Sequence, residues 1–209
     1  MAQIKLTKTE LRLQQIKLAQ LKKYLPTLQL KKAMLQAEVN YTQQEIEQLQ
    51  QEFNLQEKLI SRYSALFSDR ATNDFYSSLN ITEVHKRYEN IAGVDIPIFE
   101  DVAFAPSTYA LFDTPVWYES AIEGVKKLLI IRERSKIALE KKRALEKELR
   151  EVSIRVNLFE KIMIPRAQEN IKKIKIFLGD QQLAAVSQAK VAKKKIDLRN
   201  SLQKARGNV

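Results

Sequence analysis

The residue types that carry covalent or acid–base chemistry are sparse in this chain and stand apart from one another. His85 is the single histidine, and no cysteine occurs among the 209 residues. The second fact removes thiol nucleophiles, thiolate metal sites and disulfides together. His85 falls in a short alternating stretch with no His/Cys/Asp/Glu arrangement at metal-ligand spacing around it. It reads as a solvated strand histidine rather than a ligand or a catalytic base. Neither Gly-x-x-x-x-Gly-Lys-Ser/Thr nor Gly-x-Gly-x-x-Gly occurs, and there is no Gly-x-Ser-x-Gly elbow, so the common nucleotide-binding and hydrolase fingerprints are missing. No residue is assigned a catalytic, cofactor-binding or metal-binding role, no cofactor is expected, and an enzyme is not indicated.

Charge is the chemistry that remains. The formal net charge is +11, and its distribution says more than its total. Residues 1–32 carry eight Lys/Arg against Glu10 alone, residues 71–124 carry nine acids against Lys86 and Arg87, and the chain after 125 is strongly basic again. Lys141-Lys142-Arg143 and Lys193-Lys194-Lys195 have the composition of phosphate-contacting runs. The aromatic residues, however, gather in the acidic middle, among them Phe75, Tyr88, Phe99, Trp117 and Tyr118. No stacking platform is therefore interleaved with the positive charge, as single-stranded nucleic acid would need. Lys141, Lys142 and Arg143 read as a solvated helix face, with Glu146, Glu148 and Glu151 pairing along the helix to Lys142, Lys147 and Arg150.

The elements that position these groups are long helices. Only four glycines are present, while Leu, Lys, Glu, Gln, Ile and Ala fill the chain, a usage that favours helix throughout. Thr7-Lys8-Thr9-Glu10 has capping-box spacing and sets a helix start near Lys8. From Leu11 to Phe67 one apolar register runs in alternating steps of three and four, through Leu18, Leu21, Leu25, Leu28, Leu35, Val39, Ile46, Leu49, Phe53 and Ile60. Only Gln14, Lys32, Thr42 and Gln56 break it. A repeat of 3.5 residues sustained this long calls for a supercoiled partner. Pro26 lies inside the register, and two outcomes follow from it: a kink carried through by the leucines on either side, or a break.

A second long helix begins at Pro115 with Thr114 as its cap. Its seam runs Leu145, Leu149, Val152, Val156, Phe159 and Met163, then steps by four through Ala167 and Ile171, which has the form of a stutter near Pro165. Ile154, Leu158 and Ile162 form a flanking stripe that widens the apolar face. Gly179-Asp180 is a place for a bend or interruption, and the basic stretch 190–206 reads as a helix that orders against a partner. Between the two rods, residues 81–88 and 94–99 alternate about Asn90-Ile91-Ala92-Gly93, which reads as a short β-hairpin in which Pro97 permits only an edge strand. Phe104 to Pro115 reads as loop, and Trp117 and Tyr118 as residues that pack the hairpin onto the helix base.

The expected fold is thus all-α dominated, a long antiparallel two-helix coiled coil with a small central head containing a short β-hairpin. Its divisions are an N-terminal coiled-coil helix at 1–69, the head at 70–114, a C-terminal coiled-coil helix at 115–178 and a basic tail at 179–209, helical or partly disordered. That geometry sets the two basic ends side by side and the acidic head at the far end. No apolar run reaches the roughly 18–20 residues that cross a bilayer, and the first residues lack a signal peptide's apolar core, so a cytoplasmic location is expected.

Arg155-Val156-Asn157-Leu158-Phe159-Glu160, followed by Ile164-Pro165-Arg166, resembles a segment of the D subunit of the V/A-type rotary ATPases, where Arg-Val-Asn-Ala-Leu-Glu is followed by Ile-Pro. Thr7 to Leu11 is similar to that family's helix start, and Asn90-Ile91-Ala92-Gly93-Val94-Asp95-Ile96-Pro97 to its Asn-Ile-Met-Gly-Val-x-Val-Pro motif. The matches span nearly the whole chain in order. Departures are Ala92 in place of Met, Leu158-Phe159 in place of Ala-Leu, and Pro26.

The resemblance implies the central rotor stalk of a V-type ATP synthase, coupling ATP synthesis or hydrolysis to proton or sodium transport by rotation. It implies as partners the alternating catalytic and non-catalytic A and B subunits of the ring, the small F subunit of the stalk and the C subunit that forms its socket, with the membrane met only through the complex and no nucleic acid bound. A generic coiled-coil scaffold and a nucleic-acid binder are the other classes to weigh. Under the resemblance, Arg155, Asn157, Glu160, Pro165 and Arg166 shape the surface near the ring, and Gly93 to Pro97 contacts another part of the stalk. Two plainer readings stand beside these: Asn157 as a seam residue fixing register, and the hairpin as a turn that closes the rod.

Overall fold

A computed structural model describes residues 4–62, 65, 75, 79–106 and 115–206, with backbone only for 201–206. Helix α1 is Lys8–Ser61. Strands β1, Ile81–Ile91, and β2, Val94–Phe104, form a two-stranded antiparallel sheet. Helix α2 is Trp117–Leu158, a π-helical turn occupies Phe159–Met163, and α3 is Ile164–Arg206. The chain divides into two compact units: 1–28 with 155–209, and 29–154. The first unit holds 19 Lys/Arg against 5 Asp/Glu and the second 17 against 20, so the chain's entire positive excess belongs to the first.

Helix α1 starts where the capping box places it. The amide of Glu10 donates to Thr7 Oγ1 at 3.2 Å and that of Leu11 to the Thr7 carbonyl at 3.0 Å, satisfying two of the helix's orphan donors. Glu10's carboxylate takes the side-chain amide of Gln14 at 2.9 Å, which accounts for a polar residue at that seam position. Pro26 is exposed and does not end α1. The leucines around it stay in phase, Leu21 and Leu35 being buried and Leu25 and Leu28 half-buried.

In the second unit the two helices run antiparallel, and cross-pairs count up one helix as they count down the other. Lys31 Nζ meets Glu148 at 2.7 Å, Lys141 Nζ meets Glu38 at 2.8 Å, and Gln56 donates to the carbonyl of Gly124 at 3.2 Å. Leu35, Val39 and Leu49 of α1 and Ile137, Leu145 and Val152 of α2 form the buried seam. Its breaks have separate explanations. Thr42 is fully buried with its hydroxyl returned to the Glu38 carbonyl, and Gln56 reaches across to Gly124, whose missing side chain leaves room against Ile60.

Lys141 corrects the reading of 141–143 as a solvated face. Only 9% of it is exposed, with its stem against the seam and its amine on Glu38, as a long amphipathic side chain allows. Arg143 is exposed and Lys142 pairs with Glu146 at 3.5 Å along its own helix as expected, while also donating to Gln43 at 2.8 Å; Glu148 pairs across to Lys31. The pair is partly buried, the Glu38 side chain being 23% exposed, so Glu38→Ala, which leaves the Lys141 amine without its carboxylate, should lower stability by about 1–2 kcal/mol. Glu38→Leu with Lys141→Met should recover most of that loss, and thermal melts of the three proteins check both.

The hairpin is longer than the alternation suggests: pairing continues from Ile91–Val94 to Ile81–Phe104, and register shifts between Ile81 and Glu83 and between His85 and Lys86 interrupt the period of two. The two-residue turn Ala92–Gly93 has φ of 52° and 81°, the double left-handed geometry that matches strand twist. Asn90 Oδ1 accepts the Gly93 amide at 3.0 Å, and Asn90 Nδ2 donates to Asp95 at 2.7 Å. Ala92 carries a Cβ in this conformation at a cost of about 1 kcal/mol, so Ala92→Asn, which tolerates it, should raise the melting temperature by about 2–4 °C.

The hairpin also lies differently from the expected terminal head. It folds back along the helix pair: Lys126 sits over Phe104, Arg134 over Phe99, Lys86 Nζ reaches Glu140 at 2.9 Å, and the turn at Gly93 faces Lys31. Trp117 and Tyr118 sit at the base of the helix in a cluster with Phe75. Tyr118, Phe75, Ala121 and Ile122 are buried together, with Leu79, Trp117 and Val125 around them. Helix α2 begins at Trp117, two residues beyond Pro115, and Thr114 lies outside the described residues. The seam extension through 63 and 67 lies outside them too.

Candidate functional site

Among the described residues no group of three or more His, Cys, Asp or Glu could hold a metal ion. What the first unit does present is an open groove beside a long exposed helix. Residues around the start of α1 and the π-helical turn line an open groove of about 620 Å³. It is lined by the apolar Leu158, Ile162, Met163 and Ala167, by the cationic Lys5, Lys17 and Arg166, and by Glu10, Gln14 and Asn170. A lining of apolar and mostly cationic groups suits a partner segment that is apolar and acidic.

The flanking stripe corrects the sequence reading. Ile154, Leu158 and Ile162 are 60%, 41% and 55% exposed and so add nothing to the buried face. The seam alone, through Val156, Ala167 and Ile174, is buried. Successive steps of four mark every residue on one side of a helix, and only the partner's width decides how many are covered.

Beyond the groove α3 continues without interruption through Gly179 and Asp180. Every residue from 180 to 200 is exposed, including Leu183, Val186, Val191, Ile196 and Leu198, each more than half exposed. At about 100° per residue Leu183, Val186, Val191 and Leu198 fall within an arc of about 140°, and Ile196 lies opposite them. The tail thus presents a broad apolar face with one further apolar residue behind it, a surface for a partner to cover.

The residues singled out from sequence are spread over these surfaces. Arg155, Asn157, Glu160 and Arg166 are all exposed. Asn157 therefore lies off the seam, which removes its register-fixing reading. Arg166 lines the groove with Glu10, Gln14 and Lys17, whereas Arg155, Asn157 and Glu160 do not. Pro165 is half-buried in the first turn of α3. Gly93 is exposed at the hairpin tip, and Pro97 is buried against Tyr41, Ile137 and Lys141. Lys5 belongs to the positive end, with Lys8, Arg12 and the C-terminal lysines, for which the sequence suggests an acidic sleeve, whereas Lys17 and the apolar residues of the tail are surface residues that sequence reasoning passes over. Apolar residues recurring along a basic helix are the available signal.

A family model for the D subunit of ATP synthase matches residues 10–194. The V-type ATP synthase D subunit of Chlamydia caviae is 44% identical over 199 residues, covering 95% of this chain and 96% of that protein. The protein of the same description from Chlamydia felis is 45% identical over the same shares. That from Chlamydia pneumoniae is 42% identical over 207 residues, 99% of this chain and 97% of its own length.

Proposed function

This chain belongs to the ATP synthase D-subunit family, and we propose that it is the central rotor shaft of a V-type ATPase, turning within a ring of catalytic and non-catalytic A and B subunits. The observation that carries the reading is the tail of α3, exposed from 180 to 200 with a broad apolar face of Leu183, Val186, Val191 and Leu198 and with Ile196 opposite it. A surrounding sleeve is the partner that covers such a surface. The groove beside it, with Lys5, Lys17 and Arg166 in its lining, supplies the contacts that differ from one side of the shaft to another.

The mechanism needs no reacting group on this chain. An asymmetric shaft inside a ring makes different contacts with each catalytic interface, and turning it shifts each site's conformational equilibrium in proportion to those differences. ATP binds and reacts on the ring, and the ion crosses at the membrane rotor. The shaft transmits angle and is not itself an enzyme. No helix among the described residues is long and apolar enough to cross a membrane. Attachment there runs through the complex, by way of the C subunit as socket, with the chain on the cytoplasmic side. The small F subunit of the stalk and the exposed hairpin tip at Gly93 form the remaining contact, Pro97 serving from within to hold β2 on the helices.

The positive excess of the first unit fits an acidic lining in the ring. Reversing Lys5, Lys17 and Arg166 to Glu should weaken assembly with the ring by about tenfold at low salt, with the difference narrowing as salt rises; equal affinity at every ionic strength would discard the acidic lining. The reading as a whole is tested by adding the chain to a ring purified without it. Co-purification and recovery of ion-coupled turnover are expected. Arg155→Ala or Arg166→Ala should lower that turnover about threefold or more, and unchanged turnover with both removed would take away their assigned role.

A further inference from the structure

The two strands of the hairpin are unequally covered. Every residue of β1 from His85 to Asn90 is exposed, and since successive side chains alternate, both faces of the strand are open there. Ile96 and Pro97, which pair with Glu89 and Tyr88, are buried. β2 is therefore the inner strand, seated on the helices, and β1 the outer one. Among the described residues the sheet has two strands, so the outer side of β1 is a free edge, a row of amides and carbonyls to which another strand can add.

Backbone geometry fixes which residues face outward. The two-residue turn makes Ile91 and Val94 a hydrogen-bonded pair, and along an antiparallel ladder such pairs alternate with open ones. Glu89 with Ile96 and Arg87 with Ile98 are then bonded, while Lys86, Tyr88 and Asn90 turn their backbone groups away from β2. Pro97 stands opposite Tyr88, at an open pair where no amide is needed. The proline closes the far edge of β2 to strand addition, and β1 contains none.

The sequence of this edge is complementary to itself. Two antiparallel copies must bring outward residues together, so their two-fold axis falls on a residue of β1 and not between two. With Lys86, Arg87 or Glu89 on the axis, a charged side chain would face its own copy, and like charges directly opposite are destabilising. Asn90 on the axis leaves a short overlap, because β1 ends at Ile91. With Tyr88 there, Arg87 of each copy faces Glu89 of the other, and the ion pair these two form within the strand becomes a square of alternating charge. We propose that the free edge of β1 binds a second copy of this chain about an axis at Tyr88, and that this dimer is the form of the unassembled chain. The overlap of one short strand from each copy makes a weak interface, which contacts in the complex displace. Pairing of the free chain goes beyond the rotor reading and does not depend on it; only the statement that the dimer precedes assembly does.

Sedimentation equilibrium of the full chain should show a monomer–dimer transition with its midpoint on the order of 100 μM. Arg87→Glu, which sets glutamate against glutamate twice, should weaken it at least about tenfold, and Arg87→Glu with Glu89→Arg should restore it. Tyr88→Pro removes the amide on the axis and none of the hairpin's own bonds. It should abolish the dimer with the melting temperature within about 2 °C of the parent. Because the chain has no cysteine, Tyr88→Cys can form a disulfide only between copies, and residues on the axis stand about 5.5 Å apart. It should cross-link under mild oxidation, and Glu83→Cys, which lies far from its counterpart in this register, should not.

A chain that stays monomeric at about 1 mM would overturn the proposal. So would a dimer that Arg87→Glu leaves intact, since another surface, such as the exposed tail of α3, would then join the copies. The disulfide-linked Tyr88→Cys dimer, added to a ring purified without its shaft, should restore turnover at least about tenfold less than the same protein after reduction. Equal turnover from the linked and reduced forms would overturn the assignment of the dimer to the unassembled chain. Should the parent chain restore no turnover either, the rotor reading fails while the sedimentation and cross-linking results still decide the pairing.

Discussion

Removing residues 180–209 is expected to leave the melting temperature of the chain within about 2 °C of the parent while lowering ion-coupled turnover of the assembled complex at least about tenfold. The first half follows from burial. Every residue from 180 to 200 is exposed, so their removal uncovers no part of the buried seam. The second half follows from the proposed role: the removed segment holds the apolar residues that a sleeve would enclose, five of them more than half exposed. Burying each such side chain is worth about 1.5–3 kcal/mol, and part of that offsets the ordering of the sleeve. Melting curves and turnover assays on the same preparation check both halves. A large loss of stability would mean that the tail packs on its own chain, and intact turnover would mean that it bears on nothing.

Leu145→Ala should produce the largest single stability loss, about 3–5 kcal/mol, since the side chain is fully buried and truncation leaves a cavity between two stiff helices. Leu35 is also fully buried. The cross-pairs Lys31–Glu148 and Glu38–Lys141 on either side put it in the same layer as Leu145. The two truncations should therefore couple, the double variant losing less than the sum by about 1 kcal/mol. Strict additivity in denaturant titrations would mean that the two leucines do not share a layer, and the antiparallel register read from those ion pairs would be wrong.

The seam is the most legible feature of the sequence, because a 3.5-residue repeat is a direct statement about a helical partner. Spacing alone places Leu21, Leu35, Val39, Leu49, Leu145, Val152, Val156, Ala167 and Ile174 on it, and all are buried. Harder to see is anything decided by the partner's width or by long side chains. Ile154, Leu158 and Ile162 continue the stripe yet remain exposed. Lys141 stands beside the seam in sequence and is buried because Glu38 is there to receive its amine. Two residues between Ile91 and Val94 are enough for a hairpin. Where the hairpin lies is set by Lys86, Phe99 and Phe104 meeting Glu140, Arg134 and Lys126, pairings that no local pattern encodes. The stutter near Pro165 is visible as a run of steps of four, but a wide turn and a relaxed supercoil leave the same trace in spacing.

For the surfaces around the groove, charge is legible in the sequence but direction is not. Arg155, Asn157 and Glu160 sit near Arg166 along the chain, yet only Arg166 lines the groove. At about 100° per residue, neighbours in sequence face different ways. The motif that relates this chain to its family therefore marks a segment rather than a single contact surface.

Attachment of a bead through Glu89→Cys, on the exposed side of strand β1, to the complex with its ring fixed to glass would test the shaft reading most directly. On adding ATP the bead should turn in one direction, at a rate that rises with ATP concentration and stops when the nucleotide is removed. A bead that stays still while the same complexes hydrolyse ATP at their full rate would contradict it.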